Sequence, residues 1–307
     1  MSGTAEAVKA FVSLGGRPRE VDAIIVDNVL LLKEQEWILQ PSEEVAKGVV
    51  LLVPVRDVEE VWFAWEKMVK ALDPRPEKVI FCENNSRDRT LELVWNWDYP
   101  HEVIRIWTRD DAAPPERKYE VIAQVRDILL DRARKLDPDY AIFMDCDVFP
   151  VRRDLIARLT SHGKDAVGGV YRRSVYPDQM WICGAFLIEP LLKKRIPKKL
   201  KIDLRERRRR GEVAVQLSDC TPELHPAMGA GMGCFCISRR VIQNRNIYFH
   251  PTIGSKSEDY SFCERILREG FEIYLDGGAK LLHAYPTPSK QRPWLMRGGA
   301  GGRDSRH

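Results

Sequence analysis

From Gly48 onward the chain alternates strand-length apolar runs with amphipathic stretches, and this rhythm constrains the fold more than any other feature. Val49-Val50-Leu51-Leu52-Val53-Pro54-Val55 is an unbroken apolar run that ends at Arg56-Asp57. Glu59 to Leu72 follows with helical spacing, and Val61, Trp62, Trp65, Met68 and Val69 fall on one face. Lys78 to Glu83 reads as a second strand. Ser86 to Thr90 then opens a helix to about Trp97, with Ser86 or Asp88 as its cap. Glu102 to Thr108 is a third strand, Lys118 to Leu136 a long helix closed by Asp137-Pro138, and Asp139 to Met144 a fourth strand. Such alternation predicts an α/β fold: a parallel sheet with covering helices, and ligands bound at the carboxyl ends of the strands.

Three of those strand ends carry polar clusters: Arg56-Asp57, Glu83-Asn84-Asn85 and Asp145-Cys146-Asp147. Taken alone, the D-x-D triplet is equally an acidic turn or a helix cap. Two carboxylates delivered to one strand tip also suit a hard divalent cation, and such a cation suits a diphosphate. The coincidence of three polar tips favours the metal reading.

The flanking regions read differently. Residues 1–45 form an extension apart from this rhythm. Ala5 to Leu14 and Pro18 to Asp27 read as helices, and Val29 to Leu32 is expected to pair with Glu36 to Leu39 as a hairpin around Lys33-Glu34-Gln35. That order is loosely like a winged-helix appendage, or is a plain packing extension. Beyond the D-x-D, Asp165 to Tyr171, Gly184 to Ile188, Gly231 to Ile237, Phe271 to Leu275 and Ala279 to His283 read as strands. Gly229-Ala230-Gly231-Met232-Gly233 leads into a strand, so it is either a simple bulge or a turn admitting a substrate, not a dinucleotide loop. Ser257-Glu258-Asp259-Tyr260 starts an amphipathic helix. Its acids could serve only the helix dipole, or a capping box with Ser255. Residues 291–307 read as a flexible tail rich in Gly and Arg.

Composition excludes several classes. A formal charge of +4 over 307 residues is too small for a dedicated nucleic-acid binder. The basic runs Lys193-Lys194-Arg195 and Arg207 to Arg210 read as solvated faces or as a docking surface, so any membrane contact is peripheral. Apolar runs stay strand-sized and residues 1–10 lack a leader's apolar segment. Seven scattered cysteines fit reduced thiols, and together these features point to a cytoplasmic protein.

In order, the series Pro54-Val55-Arg56, Glu83 to Thr90, Asp145-Cys146-Asp147, a glycine-rich strand, Glu258-Asp259 at a helix start, and His283 resembles the GT-A glycosyltransferases, particularly family-2-like members. The resemblance covers about Gly48 to Tyr285 and implies a GT-A domain over 46–290 with a mixed sheet flanked by helices. It also implies that Pro54, Val55, Arg56, Glu83, Asn85, Arg126, Asp145 and Cys146 hold the donor nucleotide, with Asp88 a further candidate. Asp145, Asp147 and His283 would hold Mn2+ or Mg2+, and Gly231, Met232 and Gly233 would face sugar and acceptor. The acidic pair of inverting members maps onto Glu258-Asp259, with Asp259 as base. Two departures stand out. Arg126-Asp127 replaces the family's Arg-Asn, and Glu83-Asn84-Asn85-Ser86 replaces the commoner Asp-Asp-Gly-Ser, a variant similar to mannan-polymerase-type transferases, some of which retain configuration.

The implied activity is transfer of a sugar from a UDP- or GDP-sugar to a hydroxyl of a glycan, protein or lipid-linked acceptor. The leaving diphosphate needs its charge neutralised, and inversion needs a base on the opposite face of the sugar. A nucleotidyltransferase and a non-catalytic sugar- or nucleic-acid-binding protein are the alternatives. The first strand lacks the glycine- and lysine-rich loop expected of a nucleotidyltransferase.

Overall fold

A computed structural model describes residues 23–27, 29–108, 118–172, 186–187, 222–250 and 258–283. The helix read at 5–14, the basic runs at 193–195 and 207–210, Ser255 and the tail from 291 lie outside the described residues.

Among the described residues ten strands form one mixed sheet. Its first half is parallel, built from β3 (Val45–Val55), β4 (Arg75–Asn84), β5 (His101–Ile106) and β6 (Tyr140–Met144) in the order β5-β4-β3-β6. Between them run α1 (Glu59–Ala71), α2 (Thr90–Trp95) and α3 (Lys118–Leu136), as the sequence predicts. The chain steps outward from β3 to β5, then returns to lay β6 on the other side of β3. That reversal opens a crevice at the carboxyl ends of β3 and β6.

The unbroken apolar runs follow from burial on both faces. Val49, Leu51, Val53 and Val55 join a core with Trp62 and Phe81, while Val50 and Leu52 join a second core with Ile80, Ala123 and Phe143. Successive side chains of a strand point to opposite faces, so a strand covered on both sides must be apolar at every position. In the first core, Phe81 meets Trp62 and Trp65 at 5.7 Å and Trp97 at 5.6 Å, all tilted or edge-on as aromatic quadrupoles prefer.

The second half is antiparallel and mixed. It comprises β7 (Val148–Pro150), α4 (Leu155–Ser161), β8 (Ala166–Arg172), β9 (Phe186–Leu187), β10 (Leu224–Gly229), β11 (Cys234–Ser238), α5 (Arg239–Gln243), α6 (Glu258–Arg268) and β12 (Ile273–His283). β11 inserts antiparallel between β6 and β8, and β12 runs parallel to β8. β10 and β9 complete that edge, and β7 pairs separately with β12. The link from β10 to β11 therefore crosses two strands. Gly168 permits that crossing, because a Cβ there would stand 2.5 Å from the Cβ of Ala230.

Several sequence expectations are corrected. Residues 23–27 are not helical: β1 (Ala23–Val26) and β2 (Val29–Leu32) form the hairpin, turning at Asp27 with φ 44°. Lys33–Leu39 is a 3-10 helix rather than a second strand. The cause is Gln35, which is fully buried. Its Nε2 donates to the carbonyls of Phe149 (3.1 Å) and Pro150 (2.9 Å), and its Oε1 accepts from Leu32 N. Leu31, Leu32 and Ile38 thereby join the first core. β10 has no counterpart among the expected strands, and the two strands expected at 271–283 are one strand with a bulge between Asp276 and Lys280. The Asp276 carboxylate is fully buried there and accepts from Arg158 Nη2 (2.6 Å) and Gly278 N (2.8 Å), so an apparent Asp-Gly-Gly turn lies inside the sheet. Among the described residues no helix is long and apolar enough to cross a membrane.

Candidate functional site

The carboxyl ends of β4, β3 and β6 bring Glu83, Arg56 and Asp145 along one rim of the sheet. At the β3 end Val55 is buried, and Arg56 Nε lies 3.9 Å from Asp57 Oδ2. Asp57 and Asn85 both adopt φ 51°, a left-handed backbone that aspartate and asparagine tolerate better than most residues. Each is held there by the next loop. Asp57 N donates to Ser86 Oγ (3.2 Å), and Asp57 Oδ1 accepts from Arg87 N (2.7 Å). Asn85 Nδ2 donates to the Thr108 carbonyl (2.6 Å), and Asn85 Oδ1 accepts from Thr108 N (3.2 Å). Asp88 caps two helices at once, accepting from Glu59 N (3.1 Å) and Thr90 N (3.0 Å). Glu83 is only 1% exposed; its Oε1 accepts from Ser86 N (2.8 Å), and its Oε2 lies 3.3 Å from Arg105 Nε.

At the β6 end the sequence triplet becomes a turn. Val148 N donates to the Asp145 carbonyl and Asp145 N donates to the Gly233 carbonyl, both at 3.2 Å. The Asp145 and Asp147 side chains are 31% and 44% exposed, whereas Cys146 is buried and its thiol is pushed well up by desolvation. The described cysteines are free and buried, and burial holds them as neutral thiols: Cys82, Cys234 and Cys263 are pushed up to about 12. The antiparallel pair of β7 and β12 sets Val148 opposite His283. Asp147 Oδ2 consequently stands 3.4 Å from His283 Nε2. Desolvation raises the Asp147 carboxyl, His283 opposes that and Asp145 adds to it; its exposure lets water screen part of the effect.

That pair fits a divalent cation in part. Two ligands at about 2.1 Å from one octahedral ion stand roughly 3 Å apart, close to the separation seen here. Among the described residues no group of three or more histidine, cysteine, aspartate or glutamate side chains is disposed to hold a metal. Asp145, expected as a third ligand, does not join Asp147 and His283 in such a group.

Behind the D-x-D lies a second cluster. The Arg126 side chain, 6% exposed, donates through Nη1 to Glu258 Oε1 (2.6 Å) and to Asp259 Oδ1, and its Nη2 lies 3.5 Å from Asp145 Oδ1. Asp259 Oδ2 also faces Met232 N at 3.4 Å, which puts the Ala230 to Gly233 link against the pair. One guanidinium cannot neutralise three carboxylates. Burial, and then the adjacent Asp259 carboxylate, push Glu258 up to about 7. The Glu258–Asp259 pair therefore keeps a proton near neutrality, as a pair and not as either residue alone. Arg126 also lies with Cζ 5.9 Å from the Phe249 ring, and Phe249 stacks on Phe262 of α6 at 3.8 Å, so aromatic packing fixes the helix that carries the acids.

The structure thus gathers the expected residues into two adjoining groups. Pro54, Val55, Arg56, Glu83 and Asn85 line the β3–β4 end. Asp145, Cys146, Asp147, His283, Arg126, Met232, Glu258 and Asp259 surround the β6 end, with Gly231 and Gly233 in the adjoining link. Sequence reasoning missed Arg105. Arg105 sits opposite Glu83 in the register of β4 and β5, a relation invisible until the strands are paired.

No family model matches the sequence, and no curated protein matches it. Solved structures do. GalNAc-T7 with UDP, GalNAc and Mn2+ aligns at a TM-score of 0.51 and 14% identity, over 81% of this chain and 46% of that one. TarS 1-349 of S. aureus aligns at 0.47 and 16% identity over 79% and 60%. Mannosyltransferase PcManGT of Pyrobaculum calidifontis, in complex with GDP-Man and Mn2+, aligns at 0.46 and 15% over 86% and 66%. The chain spans about half the length of GalNAc-T7. The fold is that of GT-A glycosyltransferases, with its mixed sheet and flanking helices as the sequence predicts.

Proposed function

We propose that this protein is a metal-dependent glycosyltransferase that moves a sugar from a UDP- or GDP-sugar to an acceptor hydroxyl with inversion. The observation that carries the reading is the adjacency of two unlike groups. A half-exposed Asp147–His283 pair lies at the sheet's crevice, and Arg126 ties Asp145 beside it to the buried Glu258 and the partly exposed Asp259. The same fold in GalNAc-T7, solved with UDP, GalNAc and Mn2+, adds support.

In this reading Asp147 and His283 hold Mn2+ or Mg2+, with Asp145 beside them. A bound divalent cation supplies Lewis-acid neutralisation of the leaving diphosphate. Arg56 and Glu83 border the nucleoside. Asp259 accepts the proton of the acceptor hydroxyl, which enters past Gly231, Met232 and Gly233. Glu258 orients it, and the pair as a unit holds one proton near neutrality because burial pushes Glu258 up to about 7. The acceptor is a glycan, a protein or a lipid-linked sugar.

The test is donor binding by thermal shift with UDP-, GDP- and dTDP-sugars, with and without Mn2+. One donor should stabilise the protein only with metal. Asp147→Ala should abolish that shift and, with it, metal-dependent donor hydrolysis. Donor binding that survives both chelator and Asp147→Ala would falsify the metal assignment.

A further inference from the structure

We infer that Trp107 is the stacking platform for the nucleobase of the donor, held in position by Arg105; the inference rests on the nucleoside diphosphate sugar reading above. Trp107 directly follows β5 and is 73% exposed, the most open large apolar side chain among the described residues. A single exposed aromatic needs no explanation by itself. Three observations set this one apart.

First, one face of its ring is covered. The Arg105 guanidinium lies over it, with Cζ 4.3 Å from the ring centroid, in cation–π geometry. Second, the same Arg105 reaches inward to Glu83 Oε2, which is buried and has no hydrogen-bond partner. That oxygen is ion-paired at 3.3 Å but takes no hydrogen bond within the protein, so it keeps the capacity to accept one from a ligand. The next residue, Thr108, is fixed through its N–H and carbonyl to Asn85, so the backbone beside the ring is set before any ligand arrives.

Third, the strand order gives the right sequence of chemistry. From edge to crevice the tips run Trp107 at β5, Glu83 at β4, Arg56 at β3 and the D-x-D at β6. Three interstrand spacings span roughly 14 Å, the reach of a nucleoside diphosphate extended from base to metal-bound phosphate. A planar base laid on the open face of Trp107 puts its ribose over β4 and β3, and its diphosphate at Asp147.

The experiment is calorimetric titration of UDP, GDP and inorganic pyrophosphate, each with Mn2+, into wild type, Trp107→Ala and Trp107→Phe. Because the ring is exposed, both variants should keep the wild-type Tm. The nucleoside diphosphate that binds wild type should weaken by about tenfold or more in Trp107→Ala, the usual scale of base–aromatic stacking. Trp107→Phe should stay within about threefold, because a six-membered ring still stacks. Pyrophosphate should bind all three alike. A nucleoside diphosphate that binds Trp107→Ala as tightly as wild type overturns the platform and leaves the donor reading standing. Equal weakening of pyrophosphate overturns it too, since the loss would then lie at the phosphates. If wild type binds neither nucleoside diphosphate, the donor reading itself fails and the platform fails with it.

Discussion

At the ends of β3 and β4, Asp57, Asn85 and Asp88 bond to groups within 30 positions in sequence, whereas Arg126 gathers carboxylates from 19 to 133 positions away. The first region is a set of loop-to-loop ties, half open to water. The second is a buried cation among acids, assembled only when α3, β6 and α6 have all docked. The contrast separates two kinds of dependence. The β3–β4 end can loosen locally, while the acidic cluster exists only with the complete tertiary fold.

Substituting the base should give the largest effect and is the sharpest way to tell the regions apart. Asp259→Asn keeps the size of the side chain and an oxygen near Arg126. It should lower the transfer rate by about 100- to 10,000-fold while donor binding, read by thermal shift, stays at wild type. If donor binding falls with it, the acidic pair belongs to the donor end and the two-region description fails.

Arg126→Met comes next. Removing one partner of a buried ion pair leaves the other charge uncompensated, at about 3–5 kcal/mol. The pH dependence has a definite sign. Glu258 is raised in the folded state to about 7 from an ordinary 4.5, so the stability linked to its protonation is fully present below about pH 4.5 and is lost as pH rises through 7. Losing Arg126 raises that carboxyl further. The variant should therefore be most destabilised near pH 8 and recover towards pH 4.5, measured by denaturant unfolding at both. A deficit independent of pH would mean that Arg126 acts by packing on Phe249 and not by charge.

Asp88→Ala should be the mildest, removing the acceptor for Glu59 N and Thr90 N. A lost helix cap costs about 1 kcal/mol. Stability should fall by that amount, with Tm as the readout. A loss as large as that of Arg126→Met would show that the loop ties at the β3–β4 end are as cooperative as the buried cluster.

Much of the parallel half was legible because its signals are local. The runs at 49–55, 78–83 and 139–144 are apolar at nearly every position, and the helices between them carry apolar faces at helical spacing. The end of the long helix at Leu136 was readable to the residue, since Asp137-Pro138 stops it. The errors came where a polar side chain is buried. Gln35 and Asp276 look like turn residues in sequence, yet each is fully enclosed and bonded to backbone groups. Local polarity cannot distinguish a solvated turn from a satisfied interior group.

By itself the sequence determined the alternating architecture, the three polar strand ends and the presence of an acidic pair at a helix start, because these depend on neighbours along the chain. Tertiary structure decided which of those groups meet. Pairing of β7 with β12 sets Asp147 beside His283, and the docking of α6 against α3 closes Glu258 and Asp259 onto Arg126. The register of β4 on β5 places Arg105 against Glu83. Such contacts follow from strand register and helix packing, in the Arg126–Glu258 case across more than a hundred residues, which residue spacing does not encode.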